Sequence, residues 1–186
     1  MAHPSDAYLA DNLEACSRQG LAAATELRRV ETLLRRRART IDAVDRLQTI
    51  PAVGLWVALT IYATVGDISR FPDARSLTAY AGLVPSVHQS GETRYLGRIT
   101  CQGSPALRTM LVQAGHVLLF RCDPQKVGPL REIALRVHTA RRRRKIAVVA
   151  AARHILRIAY YVLRDGSVYD PRRLHSHSRE EVSVRP

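Results

Sequence analysis

The first forty-eight residues carry apolar side chains at helical spacing and contain no proline after Pro4. The segment Asp6–Gln48 is therefore predicted to form one long helix, weakened at Gly20. Apolar positions follow alternating steps of three and four residues, interrupted by Arg37: Leu27, Val30, Leu34, Ile41 and Val44. This period predicts a coiled-coil stripe or a helical hairpin arm, and a solvated helix packed on its own domain remains an equal alternative to dimerisation.

Shorter helical patterns follow the arm. One helix is predicted after Gly54 and ends at about Val65, before a break at Gly66 and Asp67; a short helix then ends near Ala81. Ser104 and Pro105 have the residue types of an N-cap and a first helical position. Three later helices are expected: Pro105 to about Cys122, Leu130 to Ala140, and about Arg144 to Leu163.

The pattern changes between Gly82 and Ile99. Two short strands, Leu83–Val87 and Arg94–Ile99, are predicted on either side of a polar loop, His88–Thr93. The fold class is therefore mainly α: a helical arm or coiled coil, followed by a helical domain with a helix-hairpin-helix and a short β-hairpin. The predicted domains are residues 1–46 (arm), 47–171 (second domain) and 172–186 (disordered tail).

The charge balance is strongly basic. Twenty-nine Lys and Arg oppose sixteen Asp and Glu, which gives a formal charge of +13. Arginine binds phosphate oxygens well, so an anionic polymer is the default partner, although an arginine-rich composition also follows from a GC-rich genome. Three scattered cysteines, the absence of a signal-peptide core and the charged interruptions of the longest apolar stretch predict a cytoplasmic, nucleoid-associated protein that does not bind membranes.

The segment Ile50–Gly54 resembles the turn of a helix-hairpin-helix, a clamp for the DNA backbone. A turn of this kind exposes the first amides of the following helix to a phosphate. The usual form has Gly where this chain has Ala52, and a proline-containing turn without a ligand is an equal alternative. The predicted DNA-binding residues are Pro51, Ala52, Val53 and Gly54.

Three further segments contain candidate chemistry. Ser90 precedes Gly91 and has Arg94 and Arg98 nearby; these arginines can neutralise a phosphate that the hydroxyl attacks, although most Ser-Gly pairs are only turns. The turn around Gly103 leads into a helix with Arg108, where an ordinary cap is an equal explanation. A run of five cations at a helix start is unfavourable for the helix dipole, which favours phosphate contact. This run is Arg141, Arg142, Arg143, Arg144 and Lys145.

The order of these motifs resembles the C-terminal domain of the DEDD-type transposases of the insertion-sequence 110/116/902 group, relatives of the Piv DNA invertase. The resemblance covers about Leu47 to Pro171. The matching positions are Leu47, Ile50–Gly54, Gly66-Asp67, Arg70-Phe71, Leu77, Ala79-Tyr80, Gly82–Pro85, Gln89–Gly91, Gly97–Thr100, Gly103 and Leu107-Arg108. The segment before Leu47 resembles the end of the coiled-coil arm that precedes this domain in the family.

The resemblance implies a function in DNA transposition. In this family an N-terminal RuvC-like domain supplies four acidic metal ligands, and a serine of the C-terminal domain, matched here by Ser90, is thought to attack DNA covalently. Family members use a structured guide RNA. Two residues depart from the pattern: Cys101 replaces a usual Lys, and Ser104 replaces Asn or Asp, and both changes remove groups that can contact nucleic acid.

The acidic residues of the first fifty positions lie on a predicted arginine-rich helix, not on strands, so no set of carboxylates for two Mg²⁺ ions is recognised. The sequence therefore predicts a transposase part that binds DNA, needs no cofactor of its own and is inactive without a RuvC-like domain. Its expected partners are DNA, a possible guide RNA, and another copy or a full-length transposase through the arm. A non-enzymatic dimerising regulator and an inactive remnant are the alternatives.

Overall fold

The chain divides into two units, Met1–Thr40 and Ile41–Pro186. The computed structural model describes residues 4–90, 93–123 and 143–171, together with isolated helical residues between 127 and 139. The described chain is mainly α, as predicted. Those residues of the predicted helix Leu130–Ala140 that are described have a helical backbone. The predicted tail, 172–186, lies outside the described residues.

Helix α1 (Pro4–Ala38) forms the first unit. Between Tyr8 and Arg37 its side chains are exposed, apart from half-buried Ala15 and Glu31. An ion pair on this helix joins Glu26 and Arg29 at 3.7 Å; both side chains are exposed, so the pair adds little stability. Exposed apolar side chains are present along its length: Tyr8, Leu9, Leu13, Leu21, Leu27, Val30, Leu33 and Leu34.

The prediction of one continuous helix from Asp6 to Gln48 is wrong. A turn at Arg39 and Thr40 separates α1 from α2 (Asp42–Gln48), and Ile41 has an extended backbone with φ −120°. The Thr40 hydroxyl donates a hydrogen bond of 2.8 Å to the Arg37 carbonyl and closes the end of α1. No glycine or proline marks this break, so local propensity does not cause it.

Burial explains the break. The predicted stripe contained Leu27 and Leu34, which are 60% and 42% exposed, and also Val44, which is fully buried. Leu47 is fully buried as well. The apolar positions before and after the break therefore do not form one continuous stripe: the later ones belong to the core of the second unit, where their burial stabilises α2.

The described part of the second unit contains five helices with defined bounds and one β-hairpin, besides the helical residues between 127 and 139. Asp73 and Ser104 cap two of the helices by accepting hydrogen bonds from the backbone amides of Ser76 and Leu107, and Pro105 occupies the first turn as predicted. The helices are α2, α3 (Leu55–Val65), α4 (Ala74–Tyr80), α5 (Pro105–Phe120) and α6 (Arg144–Asp165), and a 3-10 turn spans Ile68–Arg70.

Helix α6 forms the centre of this unit and packs against α5, α4 and α2. Its buried side chains include Ile155 and Leu156, both fully buried. The Tyr160 hydroxyl oxygen lies 3.2 and 3.1 Å from the carbonyl oxygens of Phe71 and Pro72, which joins α6 to the segment before α4. By length and composition α6 could cross a membrane, but more than half of its most apolar stretch is buried within the unit, as expected of a core helix.

The predicted β-hairpin is present, with longer strands than expected. Strands β1 (Pro85–Ser90) and β2 (Thr93–Ile99) pair antiparallel, so most of the predicted loop His88–Thr93 belongs to the strands. The strands extend into the predicted polar loop because backbone pairing does not require alternating apolar residues. Thr93 and Tyr95 are also good strand formers. Only Gly91 and Glu92, outside the described residues, connect Ser90 to Thr93.

Candidate nucleic-acid interface

The turn between α2 and α3 holds the first group of predicted DNA-binding residues. Ile50 and Val53 are buried, and the Val53 amide donates to the Ile50 carbonyl at 3.0 Å. Pro51 is half-buried. Ala52 has φ +66°, a left-handed conformation that glycine adopts more easily. The backbone at position 52 therefore has the left-handed shape that suits the glycine of the related motif, although the residue here is alanine.

Helix α3 begins at this turn without a side-chain cap. Gly54 is the N-cap residue, is exposed and offers no side-chain hydrogen bond to the first amides of the helix. Its carbonyl accepts from the Ala58 amide at 2.9 Å, so the helix starts regularly. Uncapped amides at a helix start attract anions, which makes this turn a candidate contact for a phosphate.

Ser90 lies at the tip of the β-hairpin. It is the last residue of β1, and its Cα partner is Thr93 of β2. At about 3.3 Å per residue, six-residue β1 carries it about 17 Å from Pro85 at the base. Arg94 and Arg98 lie on β2, where Arg94 pairs with Gln89, so their backbones are placed in the same hairpin. Gly91 lies outside the described residues.

The base of the hairpin is fixed by close backbone packing. The amides of Thr100 and Cys101 donate to the carbonyls of Val84 (2.9 Å) and Gly82 (3.2 Å), which continues the pairing past the strands. Gly103 has φ +123°, and a Cβ there would lie 1.9 Å from the Tyr80 carbonyl oxygen. The structure therefore places Gly103 against the end of α4.

Arg108 is part of the same packed base. It is half-buried, and its guanidinium donates to the Ala81 carbonyl at 3.3 Å. Gly82 lies beside it: a Cβ on Gly82 would lie 2.9 Å from the same guanidinium nitrogen. The Arg108 side chain therefore already stabilises the turn after α4. A contact with a phosphate would have to be made by the same guanidinium.

The basic residues at the start of α6 are exposed. Arg143, Arg144 and Lys145 precede or open this helix, which has no side-chain cap. The Arg144 guanidinium carbon lies 4.6 Å from the centre of the Phe120 ring, so it stacks on the end of α5. Sequence reasoning missed this contact, because the two residues are far apart along the chain and neither has a local signal for it. Arg141 and Arg142 lie outside the described residues.

The predicted site residues do not form one cluster. Helices α5 and α6 run antiparallel, because Gly115 packs on Val148 while Phe120, further along α5, stacks on Arg144. Sixteen-residue α5 is about 24 Å long, so its start near Gly103 is more than about 20 Å from the basic start of α6. The structure thus has separate candidate contacts at the two ends of α5.

His154 of α6 has a strongly shifted pKa. Burial, followed by the charges of Arg157 and Arg153, lowers the pKa of His154 to about 4, so this half-buried imidazole is neutral at pH 7. Among the described residues there is also no group of three or more His, Cys, Asp or Glu side chains placed to hold a metal ion.

The described part of the second unit is a basic helical domain with a β-hairpin, and it carries the ordered motifs noted in the sequence. Residues 44–128 match the family model described as "Transposase IS116/IS110/IS902 family". This segment is a transposase domain of that family, and the resemblance stated from the sequence is confirmed. The matched segment begins within α2 and lies entirely in the second unit.

Similar proteins carry names of the same kind. The chain is 43% identical over 82 residues to the "Transposase for insertion sequence element IS1111A" of Coxiella burnetii, covering 44% of this chain and 22% of the relative. It is 28% identical over 144 residues to the "Transposase for insertion sequence element IS1328" of Yersinia enterocolitica, covering 77% and 42%. It is 30% identical over 127 residues to the "Pilin gene-inverting protein" of Moraxella lacunata, covering 68% and 38%. The chain therefore spans less than half of the length of these relatives.

Proposed function

We propose that this chain is a DNA-binding part of an insertion-sequence transposase that contacts the phosphate backbone. The observation that carries the proposal is the exposed cationic start of α6, formed by Arg143, Arg144 and Lys145. The net charge of +13 and the uncapped start of α3 at Gly54 support it. The family of residues 44–128 and the names of the relatives make DNA the polyanion to test first.

The position of these cations is unfavourable for the isolated protein. The N-terminal end of a helix carries partial positive charge, so cations there destabilise the helix by a few tenths of a kcal/mol up to about 1 kcal/mol each. A bound phosphate reverses the sign of this interaction, since it attracts both the cations and the uncapped amides. Phosphate binding therefore accounts for the cations at this helix start, whereas a surface that contacts only solvent does not.

Replacing Arg143 and Lys145 together with alanine is expected to weaken DNA binding about tenfold at constant salt. The slope of log affinity against log salt concentration should fall by about two, one for each lost phosphate contact. Fluorescence anisotropy with a labelled duplex over a salt series measures both quantities. Arg144 is left in place because its stacking on Phe120 gives it a structural role.

The matched control removes two exposed arginines elsewhere, Arg18 on α1 and Arg75 on α4. It lowers the net charge by the same amount, so it reports the effect of charge alone. Equal weakening by both double variants would show that α6 has no specific part in the binding. Normal binding by the Arg143 and Lys145 variant would contradict the proposed contact.

We further propose that Ser90 is the nucleophile of the complete reaction, in which a separate acidic, metal-binding domain takes part. The Ser90 oxygen would form a bond to phosphorus, the bond from phosphorus to the leaving strand oxygen would break, and the hydroxyl proton would pass to solvent or a base. The support is its place at the tip of a hairpin whose base is fixed by Gly82, Gly103 and Arg108. Alone, the chain is expected to bind DNA without joining strands.

Ser90→Ala is expected to abolish a covalent protein–DNA adduct in a reaction supplemented with an acidic domain of a related transposase and Mg²⁺. The adduct is detected as a labelled band that withstands denaturing electrophoresis. Ser86→Ala, on the same strand, is the control and should leave the adduct unchanged. An adduct that persists in Ser90→Ala would exclude Ser90 as the attacking residue.

A second candidate function is that of a non-enzymatic protein that dimerises and occupies the DNA, or the guide RNA, of full-length relatives. The exposed apolar side chains of α1 favour it, since an apolar stripe of this length is typical of a pairing surface. The two functions differ in the adduct experiment: a regulator binds nucleic acid but gives no Ser90-dependent adduct with any acidic domain.

A further inference from the structure

Apolar and small side chains recur along helix α1 at alternating steps of three and four residues, the spacing of a heptad repeat. This line of side chains is called the seam. The helix is 35 residues long, which is five heptads, more than the three to four that indicate a coiled coil. Every seam residue is exposed. The seam consists of Leu9, Leu13, Cys16, Gly20, Ala23, Leu27, Val30 and Leu34.

We propose that this seam pairs with the seam of a second copy of the chain, and that the two helices run antiparallel. The large seam residues lie at the two ends of α1, and the small ones, Gly20 and Ala23, lie in its middle. An antiparallel pair can therefore align over the whole helix with apolar residues in each layer and a close approach at the centre. The facing positions are Leu9 with Leu34, Leu13 with Val30, Cys16 with Leu27 and Gly20 with Ala23 of the second copy.

The arginine that interrupts the predicted stripe supports this direction. Arg37 continues the seam spacing at the end of α1. In a parallel pair it would face Arg37 of the other copy, and the two charges would repel each other. In the antiparallel register position 37 comes opposite position 6, which is an aspartate in the sequence, so the two arginines of the dimer do not face each other.

The residues beside the seam also disfavour a parallel pair. In a parallel coiled coil, the residue just before one seam position lies close to the residue just after the following seam position of the partner helix. Glu26 would then face Glu31 of the second copy, twice in each dimer, and like charges there are destabilising. The antiparallel register instead brings Glu26 beside Gln19 and Glu31 beside Ala10, which are uncharged.

The overall charge of the two halves agrees with this arrangement. Residues 4–20 contain three carboxylates and one arginine, whereas residues 21–40 contain six arginines and two glutamates. The antiparallel pair places the acidic half of each copy along the basic half of the other, which is favourable at moderate salt. A parallel pair would place like halves together.

Substitution of one seam leucine tests whether the seam is the interface. Leu27→Glu is expected to convert the dimer into a monomer in sedimentation equilibrium. The control is Leu21→Glu, because Leu21 is a leucine of the same helix with 72% exposure, against 60% for Leu27, but lies off the seam. The Leu21 variant should remain a dimer. A monomeric wild-type chain, or a Leu27 variant that is still a dimer, would overturn the proposal.

Disulfide cross-linking tests the direction. In the full chain with Cys101→Ser and Cys122→Ser, Cys16 is the remaining cysteine. Adding Leu27→Cys is expected to give a covalent dimer on mild oxidation, because Cys16 faces position 27 of the second copy. Cys16 alone should not cross-link, and neither should Leu27→Cys combined with Cys16→Ser, since the identical positions lie about 16 Å apart along the axis in each case. Cross-linking of Cys16 alone would show a parallel pair and overturn the assignment.

Discussion

Gly103→Ala is expected to lower the free energy of unfolding of the second unit by about 4 kcal/mol, a large share of the stability of a typical domain. Two effects add up. The backbone at Gly103 has φ +123°, which side chains rarely tolerate, and the new Cβ would lie 1.9 Å from the Tyr80 carbonyl oxygen. That oxygen belongs to the backbone at the end of α4, so it cannot move away as a flexible side chain can. Chemical denaturation measures the loss.

Two other glycines separate these effects. Gly66 has φ +62°, and a Cβ there would meet no atom within 4 Å, so Gly66→Ala reports the backbone strain alone, about 1 kcal/mol. Gly54 has an ordinary φ of −84° and open space, so Gly54→Ala reports only the preference of an N-cap for glycine over alanine, up to about 1 kcal/mol. If Gly103→Ala were no worse than Gly66→Ala, the close approach of the hairpin base to α4 would be wrong.

Gly115→Val is expected to cost about 3 kcal/mol, the second largest effect. Gly115 lies inside α5, where valine would normally improve helix propensity slightly. A Cβ there, however, would lie 2.6 Å from the Val148 carbonyl oxygen and 3.1 Å from the Ala152 amide nitrogen of α6. The overlap with a neighbouring backbone outweighs the propensity, so the two helices must move apart.

The control for Gly115 is Ala63→Val, at an exposed position of α3. It introduces the same β-branched side chain at a helical position that is exposed to solvent, so its cost should stay below about 1 kcal/mol. Thermal or chemical denaturation of both variants gives the difference. Similar stabilities for the two would mean that α5 and α6 are not packed as closely as the structure shows.

Much of the fold follows from local signals. Gly66 and Asp67 ended α3 where predicted, and Ser104 with Pro105 opened α5, because these residues act on the backbone next to them. The prediction failed where the deciding force came from elsewhere in the molecule. No local residue breaks the helix before α2; the burial of Val44 and Leu47 in the second unit decides it.

The candidate site was predictable in its parts and not in its arrangement. The sequence identified Ser90, Gly103 and Arg143 as candidates. It could not show that Arg108 already holds the Ala81 carbonyl, or that Arg144 stacks on Phe120, because both contacts join residues distant along the chain. The separation of the hairpin base from the basic start of α6 likewise depends on the antiparallel packing of α5 on α6. Whether these residues contact DNA stays a prediction.

The proposed division of labour has a physical basis in this arrangement. The turn at Gly54 offers uncapped amides to a phosphate, and the start of α6 offers exposed cations. Ser90 lies instead at the tip of a hairpin whose base is fixed by close packing. In the proposed reaction, a separate acidic domain supplies the carboxylates and the metal. The chain is therefore expected to bind DNA by itself and to need that domain for chemistry.

The most direct test is the binding of the wild-type chain to a labelled DNA duplex, measured by anisotropy from low to high salt. We predict binding at low salt and a log affinity that falls linearly with log salt concentration, with a slope of several units, because each phosphate contact releases counterions. No binding at low salt, or an affinity that does not change with salt, would contradict the proposal that this chain binds the DNA backbone.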